Sequence, residues 1–445
     1  MRSSPPGPRG EPLFGSSRRY ARDPFRFLSA LEEAYGDVVQ FDLGPLNTHL
    51  VTDPVDIERV LVSEAHKFQK PDFQSDALGD LLGKGLLLSE GQTWRKQRQL
   101  ANPAFDANRL LGFADRIVAH NDDLLAGWTD GAEVDVEQDM TEVTLAVIAD
   151  LMLGTDLNDR RVETIRKALL PLGRRFGPDP VRFAAPGWLP LPGDSDYRNA
   201  LETMDSVIDD IVAERRGTHG DPETDDGPND LLSILLRAQD RGKQTDRQIR
   251  DEVMTMLLAG HDTTALTLTY TWYLLSQHPE VEQRVHEEID EVLDGDPPAT
   301  TDVSELSYVE RVIDESMRLY PPVYTMFREA TEPVVLGGYR IPEGAAIMVS
   351  QWAMHRSERY WDDPDAFDPD RWTRDEDRPR FAYFPFGGGP RHCIGKHLAK
   401  LEAKLILART AQQYRLEYAR ENEPELWPTL TMHPRDGMPM DLHER

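Results

Sequence analysis

Cys393 is the only cysteine in 445 residues, and it lies in the stretch Phe386-Gly387-Gly388-Gly389-Pro390-Arg391-His392-Cys393-Ile394-Gly395. With no disulfide partner in its own chain, the thiol is either a buried structural group in a glycine-rich turn or a thiolate ligand. Glycines let a backbone approach a flat ligand closely. Phe386 offers a ring to shield the sulfur, and Arg391 a planar donor for a carboxylate. Beyond Gly395, the residues Leu398, Leu401, Leu405 and Ala408 recur at helical spacing, which predicts a helix starting just after the cysteine. There the unpaired N–H groups and the helix dipole are expected to lower the thiol pKa. A thiolate, a shielding ring and a carboxylate clamp together suggest a haem iron.

A second stretch with chemical potential is Ala259-Gly260-His261-Asp262-Thr263-Thr264. It falls inside a helical pattern that opens with Thr245 and Gln248, a capping-box pair, and meets no proline before about Gln277. Such a helix is roughly 50 Å long. Its middle is poor helix sequence, and Thr263 can hydrogen-bond back to the Ala259 carbonyl, leaving room for dioxygen and water. Asp262 and Thr263 supply the carboxylate and hydroxyl that proton delivery needs. Read from the residues alone, a tolerated kink with solvent-facing polar groups is the alternative, and His261 is taken as structural.

The pattern Phe-x-x-Gly-x-Arg-x-Cys-x-Gly over Phe386–Gly395 resembles the haem-binding signature of the cytochrome P-450 superfamily. Ala259–Thr264 is similar to that family's Ala/Gly-Gly-x-Asp/Glu-Thr-Thr/Ser. Three further motifs stand in family order: Trp94-x-x-x-Arg98, Glu315-x-x-Arg318 and Phe367-x-Pro-x-Arg371. Alone, the Trp/Arg pair is an ordinary exposed helix face and the Glu/Arg pair a common helical ion pair. The resemblance implies a mainly α fold with a small β-rich region, a triangular helical prism around a buried haem b, as one catalytic domain over residues 1–445. It implies Cys393 as the iron ligand and Trp94, Arg98, Arg328 and Arg391 around the propionates. Phe386, Gly260 and Gly395 would lie against the cofactor. Thr263 would hold activated oxygen and Asp262 relay protons. Glu315, Arg318 and Arg371 would form a buried charge cluster locking the loop that leads to the cysteine. The implied activity is O₂-dependent hydroxylation of a hydrophobic substrate, such as a fatty acid, steroid or terpenoid. A peroxide-driven peroxygenase and a non-catalytic thiolate-haem sensor are the rival readings.

No flavin or nicotinamide module is present, so electrons are expected from a separate ferredoxin or flavodoxin. Lys396, Lys400 and Lys404, with Arg95 and Lys96, suggest a basic docking face. The formal charge is −29, from 50 basic and 79 acidic residues, with few lysines. That composition argues against nucleic acid or an anionic membrane as partner and resembles adaptation to high salt, a halophilic trait. No signal peptide or membrane anchor is evident, so a cytoplasmic location is expected.

The elements that must position these groups are legible in part. Phe25 to Tyr35 predicts a helix, Val38–Phe41 and His49–Thr52 strands, and Pro54–Val62 a helix. Lys70 to Leu88 reads as an irregular, apolar pocket-lining loop, and Thr141–Gly154 as a core helix. Prolines at 180, 186, 190 and 192 separate two helices, where the family has a movable roof. Gly217 to Asp230 reads as a solvated loop. Extended stretches are expected near Pro333–Leu336 and Ala345–Ser350, with Val323 to Met326 facing the pocket. Leu430 to Met440 reads as a hairpin about Asp436-Gly437, its methionines either in the pocket or in ordinary packing.

Overall fold

The computed structural model describes residues 4–157, 159–177, 179, 181, 189, 191–220, 227–374 and 377–445. Of the proline-rich segment 178–192, residues 178, 180, 182–188 and 190 lie outside the described residues, as do residues 221–226 of the solvated loop. The fold is mainly α with small sheets, as expected.

Helix α1 (Pro24–Tyr35) starts on the Asp23 side chain, which accepts from the Arg26 N–H at 2.9 Å, and stops at Gly36, whose φ is 84°. It packs Leu28 and Leu31 over the main sheet. Strands β1 (Val38–Leu43) and β2 (Leu46–Val51) form a hairpin, and β3 (Phe68–Gln69) follows on the far edge of the same sheet.

Residues 72–82 depart from the expected loop and form helix α2 (Asp72–Leu82). Leu78, Leu81 and Leu82 make its buried stripe, and Gly83, with φ 53°, ends it. The segment after it is pinned from a distance: Lys84 N–H donates to Asp251 at 2.8 Å and Leu86 N–H to Glu252 at 3.1 Å. Helix α3 (Gly91–Ala101) carries Trp94 and Arg98, and α4 (Val136–Ile148) runs into a π-helical turn over Ala149–Leu153.

The long helix α5 (Asp246–Gln277) has 32 residues and both hydrogen bonds of the capping box at Thr245 and Gln248. It packs tightly on α4, because a Cβ at Gly260 would come within 2.7 Å of Ile148. Helix α6 (Ser307–Leu319) leads into β4 (Thr325–Ala330), a strand that the sequence reading did not separate from the pocket-facing segment. Strand β5 (Ala346–Ser350) completes a sheet of order β1-β2-β5-β4-β3, with β2 and β5 parallel. Parallel strands need a long crossover, and here most of the helices intervene between Val51 and Ala346.

Helix α7 (Lys396–Gln413) begins just past Gly395, as expected. At the C-terminus the expected hairpin about Asp436-Gly437 is not formed. Met432–Pro434, strand β6, pairs instead with Leu426–Pro428, while Pro439–Glu444 joins Tyr414–Tyr418 and Glu133–Asp135. Asp436-Gly437 is thus a crossover between two small sheets. Among the described residues no helix is long and apolar enough to cross a membrane.

Candidate active site

A cavity of about 810 Å³ lies between α5 and the residues leading into α7, and Cys393 is on its wall. That volume suits a buried small-molecule site. The loop that presents the sulfur depends on its glycines: Gly387 and Gly389 have φ of 68° and 65°, and a Cβ at Gly389 would sit 2.0 Å from the Leu61 carbonyl oxygen. Cys393 N–H donates to the Phe386 carbonyl at 2.9 Å, closing the loop.

Cys393 is accessible only in the sense that it faces this cavity; it lies deep in the molecule. Burial pushes the free thiol up, against the Gly395 N–H, Arg98 and Lys396, which pull it down. The expected depression by the helix N-terminus is therefore outweighed in the protein alone. A cation bonded to the sulfur reverses that balance. Among the described residues no cluster of three or more His, Cys, Asp or Glu side chains could hold a metal ion.

Four cations gather on the same wall. Arg98 donates to the His392 carbonyl at 3.0 Å, with His392 Nε2 at 3.1 Å from its other nitrogen. Arg391 stacks over the Trp94 ring at 4.6 Å and donates to the Ser89 carbonyl at 2.9 Å. Its carboxylate partner is Glu90, a residue of this chain. Arg328, buried on β4, donates to the Phe327 carbonyl at 2.8 Å. Lys70 is the fourth, and the sequence reading missed it. Its one signal was being a basic residue beside a predicted pocket in a lysine-poor chain.

Among the described residues neither Lys70, Arg98 nor Arg328 has a carboxylate in ion-pair contact. Burial, then Arg328 and Arg391, pull Lys70 well below the usual lysine value, and burial with Arg391 brings Arg328 down to about 10. Buried cations without counter-charge are costly. The residues present therefore fit a cofactor that brings its own carboxylates, as the propionates of a haem would.

Across the cavity, Ala259, Gly260, Asp262 and Thr263 of α5 line the opposite side. Thr263 hydroxyl donates to the Ala259 carbonyl at 3.3 Å, the expected backward bond. Gly260 lies against the Ile148 side chain, whose end would have to shift for any larger residue there, and this brings α5 close to α4. Gly395 is under no such constraint: a Cβ there would meet Cys393 Sγ at 4.0 Å and Phe105 at 3.8 Å. His261 is buried and bonded through Nδ1 to the Leu257 carbonyl, in keeping with a structural part. Asp262 accepts from the Thr431 hydroxyl at 2.7 Å, so its first partner is the C-terminal segment rather than solvent.

The remaining walls are largely apolar, with Leu78, Leu82, Phe176, Met256, Val323 and Met326 among them. Met432, Met438 and Met440 do not join them. All three are fully buried in the core, because strand pairing turns Thr431 and His433 toward the cavity instead. A larger cleft of about 1430 Å³ opens beside α1, but charged residues of both signs line it and Cys393 is remote from it.

The expected Glu315–Arg318–Arg371 charge cluster forms and holds the backbone of the segment from His355 to Arg371, upstream of the cysteine loop. Glu315 and Arg318 are fully buried and paired at 2.8 Å, and Arg371 reaches Glu315 at 2.7 Å. Arg318 also donates to the carbonyls of His355, Pro364 and Ala366.

The expected docking face is smaller than its spacing suggested. Lys400 pairs with Glu310 and Asp314 at 3.0 and 3.1 Å, and the buried Lys404 bonds Glu310 and the Val303 carbonyl, each at 2.8 Å. Steps of four residues drift about 40° around a helix of 3.6 residues per turn, which carries these two lysines toward α6. Lys396, Arg95 and Lys96 remain exposed.

The chain matches the family model described as Cytochrome P-450 over residues 5–438. It is 36% identical to cyclooctatin synthase of Streptomyces melanosporofaciens over 92% of this chain and 89% of that protein. It is 35% identical to pentalenene oxygenase of Streptomyces avermitilis, over 92% of this chain and 90% of the relative. A plant protein, cytokinin hydroxylase of Arabidopsis thaliana, is 31% identical over 83% of this chain and 74% of its own.

Proposed function

The chain belongs to the cytochrome P-450 family, and on that premise we propose that it is a single-domain haem-thiolate monooxygenase hydroxylating a terpenoid-like compound with electrons from a separate ferredoxin or flavodoxin. Membership makes it an oxidoreductase that incorporates oxygen and uses a haem iron. One observation carries the residue assignments: the lone cysteine and four cations with one carboxylate, Glu90, in ion-pair contact among them share one wall of an apolar cavity, opposite the Asp262–Thr263 couple.

Cys393 would be the iron ligand. Arg98, Arg328, Arg391, Trp94 and Lys70 would hold the propionates of haem b, with Phe386 beside the sulfur. When bound, a thiolate-ligated haem supplies the O–O cleavage that lets oxygen enter an unactivated C–H bond. The chain's part is to position and to deliver protons. Leucine, methionine and phenylalanine walls exclude water and hold an apolar substrate by burial rather than by hydrogen bonds. Thr263 presents a hydroxyl toward the cavity, and Asp262 beside it is the carboxylate that can pass a proton to that hydroxyl.

The terpenoid reading draws on relatives named for cyclooctatin and pentalenene. Against the fatty-acid alternative it is checked by the optical shift of the purified protein with terpenes, fatty acids and steroids. The class itself is tested by reducing the protein under carbon monoxide. The red-shifted absorption of thiolate-bound haem is expected in wild type and absent in Cys393→Ala, and its absence from wild type overturns the reading. Thr263→Ala is expected to keep that band while diverting reducing equivalents to peroxide; unchanged coupling of electron use to product removes Thr263 from its role.

A further inference from the structure

Asp262 is the cavity end of a chain of hydrogen bonds that leaves α5 altogether. Thr431 Oγ lies 2.7 Å from Asp262 Oδ2 and 3.0 Å from His433 Nε2. On the other side of the ring, His433 Nδ1 lies 2.7 Å from Glu137 Oε1 in the first turn of α4. His433 Nε2 is also 3.5 Å from Asp262 Oδ1. An imidazole is thus held between two carboxylates that are 125 residues apart in sequence, counted from Glu137 to Asp262, and it comes from a third place in the chain.

The donors and acceptors run one way. A doubly protonated ring donates Nδ1–H to Glu137 and Nε2–H to the Thr431 oxygen, leaving the Thr431 O–H to donate to Asp262. All four side chains line the cavity wall, yet Glu137 and His433 keep 19% and 25% of their side-chain surface accessible. Asp262 keeps 24% as well, so these groups open on the cavity, and the path runs from Glu137 in the first turn of α4 to the carboxylate beside Thr263.

We propose that His433, with Thr431 and Glu137, forms the proton path that recharges Asp262. This goes beyond the Asp262–Thr263 couple and rests on the monooxygenase reading given above. In the forward step the Thr431 O–H bond breaks as an O–H bond forms on Asp262 Oδ2, and the His433 Nε2–H bond breaks as its proton replaces the one Thr431 gave up. The net change is one proton from imidazolium to carboxylate. Glu137 takes the next proton from water and returns it to the ring as the imidazole turns over, so protons balance and no further reactant is needed.

The electrostatics agree with this arrangement. Burial alone would push His433 down, but Asp262 and Glu137 outweigh it and hold the imidazolium up to about 9. The other groups facing the ring's surroundings are His261 and Tyr270 on α5 and Asp135 just before α4. Burial in turn holds Glu137 above the ordinary carboxylate value despite His433, which suits a group that must pick up protons.

The test uses the haem-loaded protein labelled with ¹⁵N-histidine, as its reduced carbon monoxide complex. One histidine signal, absent from His433→Gln, is expected to stay doubly protonated through neutral pH and to titrate near pH 9 in wild type. Its midpoint should fall in both Glu137→Gln and Asp262→Asn. In turnover, His433→Gln is expected to run about 100-fold slower, with a larger solvent isotope effect and unchanged substrate-induced optical shift. Glu137→Gln should move rate and isotope effect in the same direction, and it carries the turnover test if His433→Gln fails to load haem. Wild-type rate and isotope effect in the variants, or a His433 signal that titrates near pH 6.5 in wild type, overturns the path. Loss of the thiolate-type carbon monoxide band from wild type would instead overturn the monooxygenase reading, so the two failures are distinct.

Discussion

Glu315→Ala is expected to yield no folded, haem-loaded protein, with a loss of about 3 to 5 kcal/mol for breaking a buried ion pair from one side. Among the described residues Glu315 is the single carboxylate paired with two buried guanidiniums, Arg318 and Arg371, and it also accepts from the Asp368 N–H at 3.2 Å. Its removal leaves two positive charges without compensation in a region that water does not reach. Arg318→Ala damages differently. Arg371 still balances Glu315, but the carbonyls of His355, Pro364 and Ala366 lose a donor, each loss costing about 1 to 3 kcal/mol where no water replaces it. Both variants should therefore fail to hold haem, with Glu315→Ala the worse. Haem-to-protein ratio and urea unfolding of whatever remains soluble check this; full haem loading with an unmoved unfolding midpoint contradicts it.

Removing Arg328 should have opposite effects on the protein with and without its cofactor. In the protein alone, Arg328 is a buried cation beside Arg391 and Lys70, so Arg328→Leu relieves repulsion and should leave thermal stability equal or higher. With haem bound, the same change removes a charge-assisted hydrogen bond of about 1.5 to 3 kcal/mol. That corresponds to haem loss to an excess of acceptor protein about tenfold to 100-fold faster. A drop in stability of the cofactor-free protein with haem retention unchanged would make Arg328 a structural residue. Lys70→Met should behave in the same direction, which extends the test to a residue that no sequence pattern had marked.

The two variants also separate what each part of the site owes to sequence and to fold. Cys393, Asp262 and Thr263 could be singled out from the chain alone, because their chemistry is written in short spacings, whereas the Glu315–Arg318–Arg371 cluster was implied only by the family resemblance. A glycine turn, a helix N-terminus, a weak helical hexamer and an i,i+3 pair are local facts about backbone and side chain. The long helix with its capping box was legible for the same reason, and so was the hairpin of the first two strands.

What could not be read locally is what depends on which distant segments meet. Lys70 became part of the cation cluster because β3 pairs with β4 and so brings residue 70 near Arg328. Lys400 and Lys404 left the proposed docking face because α6 supplies Glu310 and Asp314 at the positions they turn toward. The C-terminal methionines went to the core, and Thr431 with His433 to the cavity, because β6 pairs upstream with Leu426–Pro428 instead of folding back at Gly437.

The sequence by itself marked out the candidate reacting groups and the helices that carry them, since turn geometry and helical period act over a few residues. The tertiary structure alone decided the counter-charges, the wall of the cavity and the hydrogen-bonded chain proposed to carry protons to Asp262. Those rest on contacts across some 125 to 300 positions of chain, between Glu137, Asp262 and His433, where nothing in local spacing fixes which side chain faces which.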